Sequence, residues 1–338
     1  MPDILTAGLP IVLLAGVFQG SCLVFAKWMR GWSWENYWLV FSAFAYLICP
    51  WALAFATVPH LAEVYAGASA SSLFWIALFG LGWGLGALTF GLGVDAVGLA
   101  LAYAIILGVA ASSGTVVPLL MNPPAALSGQ VIAITALALV LMLAGVAVCS
   151  AAGRWKEKPA KGGAGRSYRR GVLICVASGL LSACGNIGFS FGAFLAQRAR
   201  ELGATQEFAG NVLWSLLTVP VFLCNAGYAV RLLGRNRTAP QFRKSTGWNG
   251  FLGMVMGVTW LAGMAAYGAG ARQLGALGTS LGWAILMSTM VLVANALGLL
   301  TGEWTAAPPR ARRQLAAGVG ILLLAIAALG YANHLRAA

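Results

Sequence analysis

Residues Trp83–Gly98 read WGLGALTFGLGVDAVG, and residues Trp260–Gly275, 177 positions later, read WLAGMAAYGAGARQLG. Six positions coincide: Trp83 with Trp260, Gly86 with Gly263, Phe90 with Tyr267, Gly91 with Gly268, Gly93 with Gly270 and Gly98 with Gly275. After a small insertion the likeness resumes, Tyr103-Ala104-Ile105 against Trp283-Ala284-Ile285. Glycine is common in this chain, so the aromatics in register carry the argument. They point to an internal duplication, a recurring design of secondary transporters.

Composition sets the solvent. Of 338 residues 60% are hydrophobic and 9% charged, with a mean hydropathy of +0.84. A soluble chain carries about 25% charged residues, so this is a polytopic membrane protein embedded in a lipid bilayer. A spanning helix needs about 20 mostly apolar residues. Ten segments qualify, near 7–27, 37–58, 72–93, 97–119, 129–151, 171–195, 208–231, 249–270, 276–300 and 315–333. Tight turns around Asp95 and Arg272 are expected between the third and fourth, and the eighth and ninth. The first segment reads as a retained helix, since no basic stretch precedes it.

The basic residues give a topology. With the N-terminus outside, seventeen of the 21 Lys and Arg fall on the inner side, leaving Arg198, Arg200, Arg272 and Arg336 outside. The positive-inside rule then puts both termini outside. It also explains a pI near 10 without nucleic acid, for which no binding is expected. The basic linker 152–170 divides the chain into residues 1–151 and 171–338. The expected fold is therefore all-α, ten transmembrane helices as two inverted five-helix repeats. Gly80, Gly82, Gly84, Gly86, Gly91 and Gly93 in the third helix are expected to allow close helix packing.

Enzyme chemistry has no foothold. It would need a nucleophile with a base, a metal, or paired carboxylates. The eight acidic residues (Asp3, Glu35, Glu63, Asp95, Glu157, Glu201, Glu207, Glu303) all fall away from mid-membrane. The six cysteines lack CxxC spacing and read as small apolar residues. Neither metal nor cofactor is expected. Trp28, Trp32, Trp34 and Trp38 read as interfacial anchors. What the helices hold instead is neutral polarity and aromatics. Gln19, Asn186, Asn295 and Ser288 offer hydrogen bonds, and Trp83, Tyr103, Trp260 and Trp283 offer faces for a sugar ring. An uncharged cavity of this kind suits a polyhydroxyl solute, lined by helices 1, 3, 4, 6, 8 and 9.

Several motifs together carry a family likeness. Lys27 followed by WSWE at Trp32–Glu35 resembles the first inner loop of the bacterial L-rhamnose–proton symporter family, within the drug/metabolite transporter superfamily. Pro50-Trp51, FGLGWGLG at Phe79–Gly86, SGLLSACGN at Ser178–Asn186, GWAILMS at Gly282–Ser288 and GEW at Gly302–Trp304 are similar too. The resemblance implies proton-driven import of L-rhamnose or a related monosaccharide across the bacterial inner membrane. It makes Glu35, Asp95 and Glu303 the candidates for proton coupling or gating. Departures lie at Asp95, acidic where some members are basic, and in the small-residue stretch Ala262–Ala266. An importer, exporter or exchanger of another small metabolite is the alternative, with a channel and a membrane enzyme as further rivals.

Overall fold

The computed structural model describes residues 4–121, 128–154 and 166–337. Ten helices are long and apolar enough to cross a membrane: α1 (Gly8–Trp28), α2 (Trp34–Thr57), α3 (Ala70–Val97), α4 (Leu101–Met121), α5 (Gly129–Gly153), α6 (Arg169–Glu201), α7 (Asn211–Asn236), α8 (Thr246–Gln273), α9 (Gly275–Leu300) and α10 (Pro309–Leu335). No strand occurs among the described residues. The expected basic linker lies largely outside them, as do Asp3 and Glu157. Large apolar side chains face outward, Leu300 and Leu120 among them, as a lipid-facing surface requires.

The turns differ in detail from expectation. α3 runs past Asp95 to Val97, and the reversal comes at Gly98, whose φ is +84°. α8 likewise runs past Arg272 to Gln273, with the reversal at Gly275, φ +77°. A side chain would strain both positions, so the glycines rather than the charges set the breaks. α2 contains a π turn, Phe44–Ile48, just before Pro50. Proline lacks an N–H and crowds the preceding turn, which the wider π turn relieves.

Packing follows the glycines. In lipid no hydrophobic force drives helix to helix, so close backbone approach supplies much of the attraction. α1 packs on α8 and α9, and α6 packs on α3 and α4. A Cβ at Gly263 would lie 2.6 Å from Gln19 Nε2, and one at Gly86 would lie 2.6 Å from Ser182 N. Gly270 faces Val12, and Gly93 faces Cys175. Gly16 faces Thr289, and Gly179 faces Val109. Elsewhere Gly257 meets Phe44 on α2 as Gly80 meets Leu217 on α7, and Gly145 meets Leu322 as Gly318 meets Cys149. Each contact thus has a partner contact five helices away. The bundle contains two triplets, α1–α8–α9 and α6–α3–α4, which meet where α4 crosses α9.

Helix ends gather on two faces. On one, Asn249 bonds both the N–H and the carbonyl of Arg30, Gln241 accepts from Ser33 N at 2.6 Å, and Lys27 pairs with Glu303. This is the basic face. On the opposite face Arg272 donates to the carbonyls of Gln206 and Glu207 at 2.6 and 2.7 Å, and Asn211 donates to Thr57 Oγ1.

Candidate functional site

A cavity of about 140 Å³ lies between the two triplets. One wall carries Gln19 (α1), Trp260 and Met264 (α8), and Trp283, Leu286, Met287 and Met290 (α9). The other carries Trp83 and Phe90 (α3), Ile106, Leu107 and Ala110 (α4), and Ser182 (α6). No lining residue is ionisable. Gln19 and Ser182 are the polar side chains without a ring, and each sits against a glycine of its own triplet, Gly263 and Gly86. Gln19 Nε2 donates to the carbonyl of Trp260 at 2.7 Å, which leaves its Oε1 as an acceptor. The indoles of Trp83 and Trp260 stand 5.7 Å apart at the middle of the site. The site thus offers broad aromatic faces, a soft methionine edge and two neutral polar groups, a combination suited to one small uncharged molecule.

The cavity sits near the middle of the bundle: its α4 residues lie in the half of that helix nearer the basic face, and three of its four α9 residues in the half of α9 nearer the opposite face. Toward the opposite face it is shut. Asn186 on α6, fully buried, donates both amide hydrogens, to Gly114 O on α4 at 2.7 Å and Thr279 O on α9 at 2.9 Å. Its Oδ1 accepts from the Tyr267 hydroxyl of α8, which also reaches Thr279 O at 3.0 Å. Gly114 O is the carbonyl that the ring nitrogen of Pro118 cannot serve within α4, so the amide supplies the missing donor. Phe189 stacks on Trp214 at 4.4 Å behind this clamp, with Tyr267 at 5.8 Å from Phe189. Trp283 adds a bond to Ala110 O at 3.2 Å. Among the described residues no hydrogen bond joins the triplets on the basic side of the cavity.

Of the residues expected to hold a sugar, Gln19, Trp83, Trp260 and Trp283 come together here. The others do not line the cavity. Asn186 is engaged at every amide position in the clamp. Ser288 is fully buried with no partner for its hydroxyl. Asn295 bonds Val291 O one turn back on α9. Tyr103 stands 40% exposed, edge-on to Phe90.

The three expected carboxylates also lie apart from the cavity. Glu35 is 4% exposed in the first turn of α2, accepting from Thr238 Oγ1 at 2.6 Å and Asn236 Nδ2 at 3.0 Å. Glu303 pairs with Lys27, and both are partly exposed. Asp95 is exposed near the end of α3. Of the four anchor tryptophans, Trp34 and Trp38 stack at 4.9 Å, and Trp38 also donates to Asn225 Oδ1, so it braces α2 on α7 as well. Sequence reasoning missed Ser182 and the methionines. Ser182 stands to Gly86 as Gln19 stands to Gly263, a correspondence that only the packing reveals.

Among the described residues no group of three or more His, Cys, Asp or Glu side chains could hold a metal. A solved crystal structure with TM-score 0.54, 15% identical and covering 96% of both chains, shares the fold. The curated relatives include L-rhamnose-proton symporters from Pectobacterium atrosepticum, 28% identical over 90% of this chain and 91% of the relative, from Mannheimia succiniciproducens, 26% over 91% and 92%, and from Escherichia coli, 24% over 95% and 96%. The family model described as L-rhamnose-proton symport protein (RhaT) matches residues 1–333, and the chain belongs to that family.

Proposed function

We propose that this chain is a transporter of the bacterial inner membrane that imports L-rhamnose with protons by alternating access. The observation that carries the reading is the family match across residues 1–333, joined to an uncharged cavity between two helix triplets. L-Rhamnose is a neutral deoxyhexose. Its hydroxyls suit Gln19 and Ser182, and its apolar ring face and methyl suit Trp83, Trp260 and the methionines. The paired glycine contacts support two five-helix halves, 1–151 and 171–338. Five spans in each half would make them inverted in the membrane, so that exchanging their conformations moves the opening from one face to the other. The excess of Lys and Arg on the basic face makes that face cytoplasmic, with both termini periplasmic.

Proton coupling is assigned to Glu35. It is the buried one of the described carboxylates, and the partners of its Oε1 are neutral. Protonating it strands no cation, whereas Glu303 would leave Lys27 behind. The test is uptake of labelled L-rhamnose into proteoliposomes with and without an imposed pH gradient. Gradient-driven accumulation, lost in Glu35→Gln while sugar exchange persists, is the expected outcome. Rhamnose exchange with no response to the gradient in the parent protein would refute the coupling. No saturable rhamnose uptake would refute the substrate and turn the search to other small metabolites.

A further inference from the structure

Two aromatic pairs flank the cavity, and the sequence echo makes them equivalent. Tyr267 on α8 and Trp283 on α9 meet edge to face at 5.6 Å, and Phe90 on α3 and Tyr103 on α4 meet the same way at 4.8 Å. Their surroundings are opposite. Tyr267 and Trp283 are 0% and 2% exposed, and the Trp283 indole donates across the triplet boundary to Ala110 O. Tyr103 is 40% exposed, and its hydroxyl makes no hydrogen bond among the described residues.

The glycine contacts fix which residue would receive it. Gly179 faces Val109 and the carbonyl of Ile106, and Gly16 faces Thr289 and the carbonyl of Leu286. That aligns α4 on α9 so that Ala110 corresponds to Met290, and Gly114 to Ala294. Trp283 lies over Gly114, where a Cβ would come within 2.4 Å of its Nε1. On the other side a smaller ring, Tyr103, would lie over a larger residue, Ala294. The sizes compensate.

We infer that Tyr103 is a gate residue and not a sugar ligand. In the outward-facing state its hydroxyl donates to Met290 O, its ring covers Ala294, and Phe90 backs it, closing the cavity on the basic face. This rests on the alternating-access reading above. The two gates are unequal. The same alignment places Ser182 on Gln19 and therefore Asn186 on Leu23, so the basic-face gate has no amide clamp. One hydroxyl holds it, against the several bonds of the opposite gate, and the state open to the basic face is favoured at rest.

The experiment uses full-length protein in proteoliposomes, its native cysteines replaced by serine or alanine. It carries Tyr103→Cys with Met290→Cys, and reporter cysteines are placed singly at Leu23 or Thr279. A short bifunctional thiol reagent is expected to link 103 to 290 and stop transport. In the linked protein Thr279→Cys should become labelled and Leu23→Cys protected, all reversed by cleaving the link. Tyr103→Phe, which keeps the ring, is expected to bind rhamnose normally and to lower the fraction with the basic face closed by about threefold, the effect of one interhelical hydrogen bond. If the reporters alternate but 103 and 290 never link, or Tyr103→Phe changes rhamnose affinity without moving the reporters, the gate assignment is overturned and alternating access stands. If both reporters are labelled together throughout, alternating access falls and the gate with it.

Discussion

Replacing Asn186 by leucine, the residue α1 carries at the aligned position, tests the clamp. The substitution preserves approximate size and removes three hydrogen bonds, those to Gly114 O and Thr279 O and that from Tyr267. Tyr267 keeps its own bond to Thr279 O, so the closure weakens without disappearing. Two of the three cross between the triplets, those with Thr279 O and Tyr267; at about 0.6 kcal/mol each, the average for interhelical hydrogen bonds in membranes, they come to roughly 1.2 kcal/mol. That is about an eightfold change in the balance between closed and open on the opposite face. Gly114 O, which Pro118 cannot serve, loses its donor within its own triplet, in the closed and open states alike. The assay is the labelling rate of Thr279→Cys by a membrane-impermeant thiol reagent, in the parent and in Asn186→Leu. Labelling should rise about eightfold while rhamnose affinity stays within about threefold. Unchanged labelling would refute the clamp, and loss of rhamnose binding with unchanged labelling would return Asn186 to the sugar site.

Gln19→Leu removes the polar side chain of the α1 wall and is expected to weaken rhamnose binding about tenfold by calorimetry, the loss of one hydrogen bond of about 1.4 kcal/mol, with little change in melting temperature. An affinity within twofold of the parent would remove Gln19 from the site. Gly80→Ala places a Cβ 2.2 Å from Leu217 O, a backbone atom that cannot turn aside, and should cost about 1–3 kcal/mol as α3 and α7 are forced apart. A melting temperature equal to the parent's would show that the contact is slack. Lys27→Met breaks an exposed ion pair and should alter stability by less than about 1 kcal/mol. A larger loss would mean that α1 is pinned to the α9–α10 connection more firmly than an exposed pair allows.

Much of the fold was legible because lipid imposes it. Long apolar runs can satisfy their backbones only as helices, so the ten spans could be read from composition. The echo at Trp83 and Trp260 also pointed to the cavity, since aromatics matched across two halves line the space between them. The amides were harder. Gln19 and Asn186 look alike in a linear reading, yet one faces the cavity and the other is held by Gly114, Thr279 and Tyr267 from three other helices. Which one reaches the cavity depends on neighbours more than 70 residues away in the chain. The methionines were unreadable for a related reason. Met264, Met287 and Met290 are ordinary apolar residues until the meeting of the two triplets places them at the cavity.

The reversals at Gly98 and Gly275 bear on how force would travel through the bundle. Each joins two long helices through a very short connection, and each glycine adopts a backbone angle that a side chain would strain. So short a joint has no slack. α3 and α4 cannot slide past one another along their axes, and neither can α8 and α9; each couple can only pivot, like the two arms of a crank. A push on Trp283 inside the cavity would therefore tilt α8 together with α9, and the lever arm is the full length of the span. Lengthening either joint by a few flexible residues would leave a protein that folds and binds, but whose two arms no longer turn together.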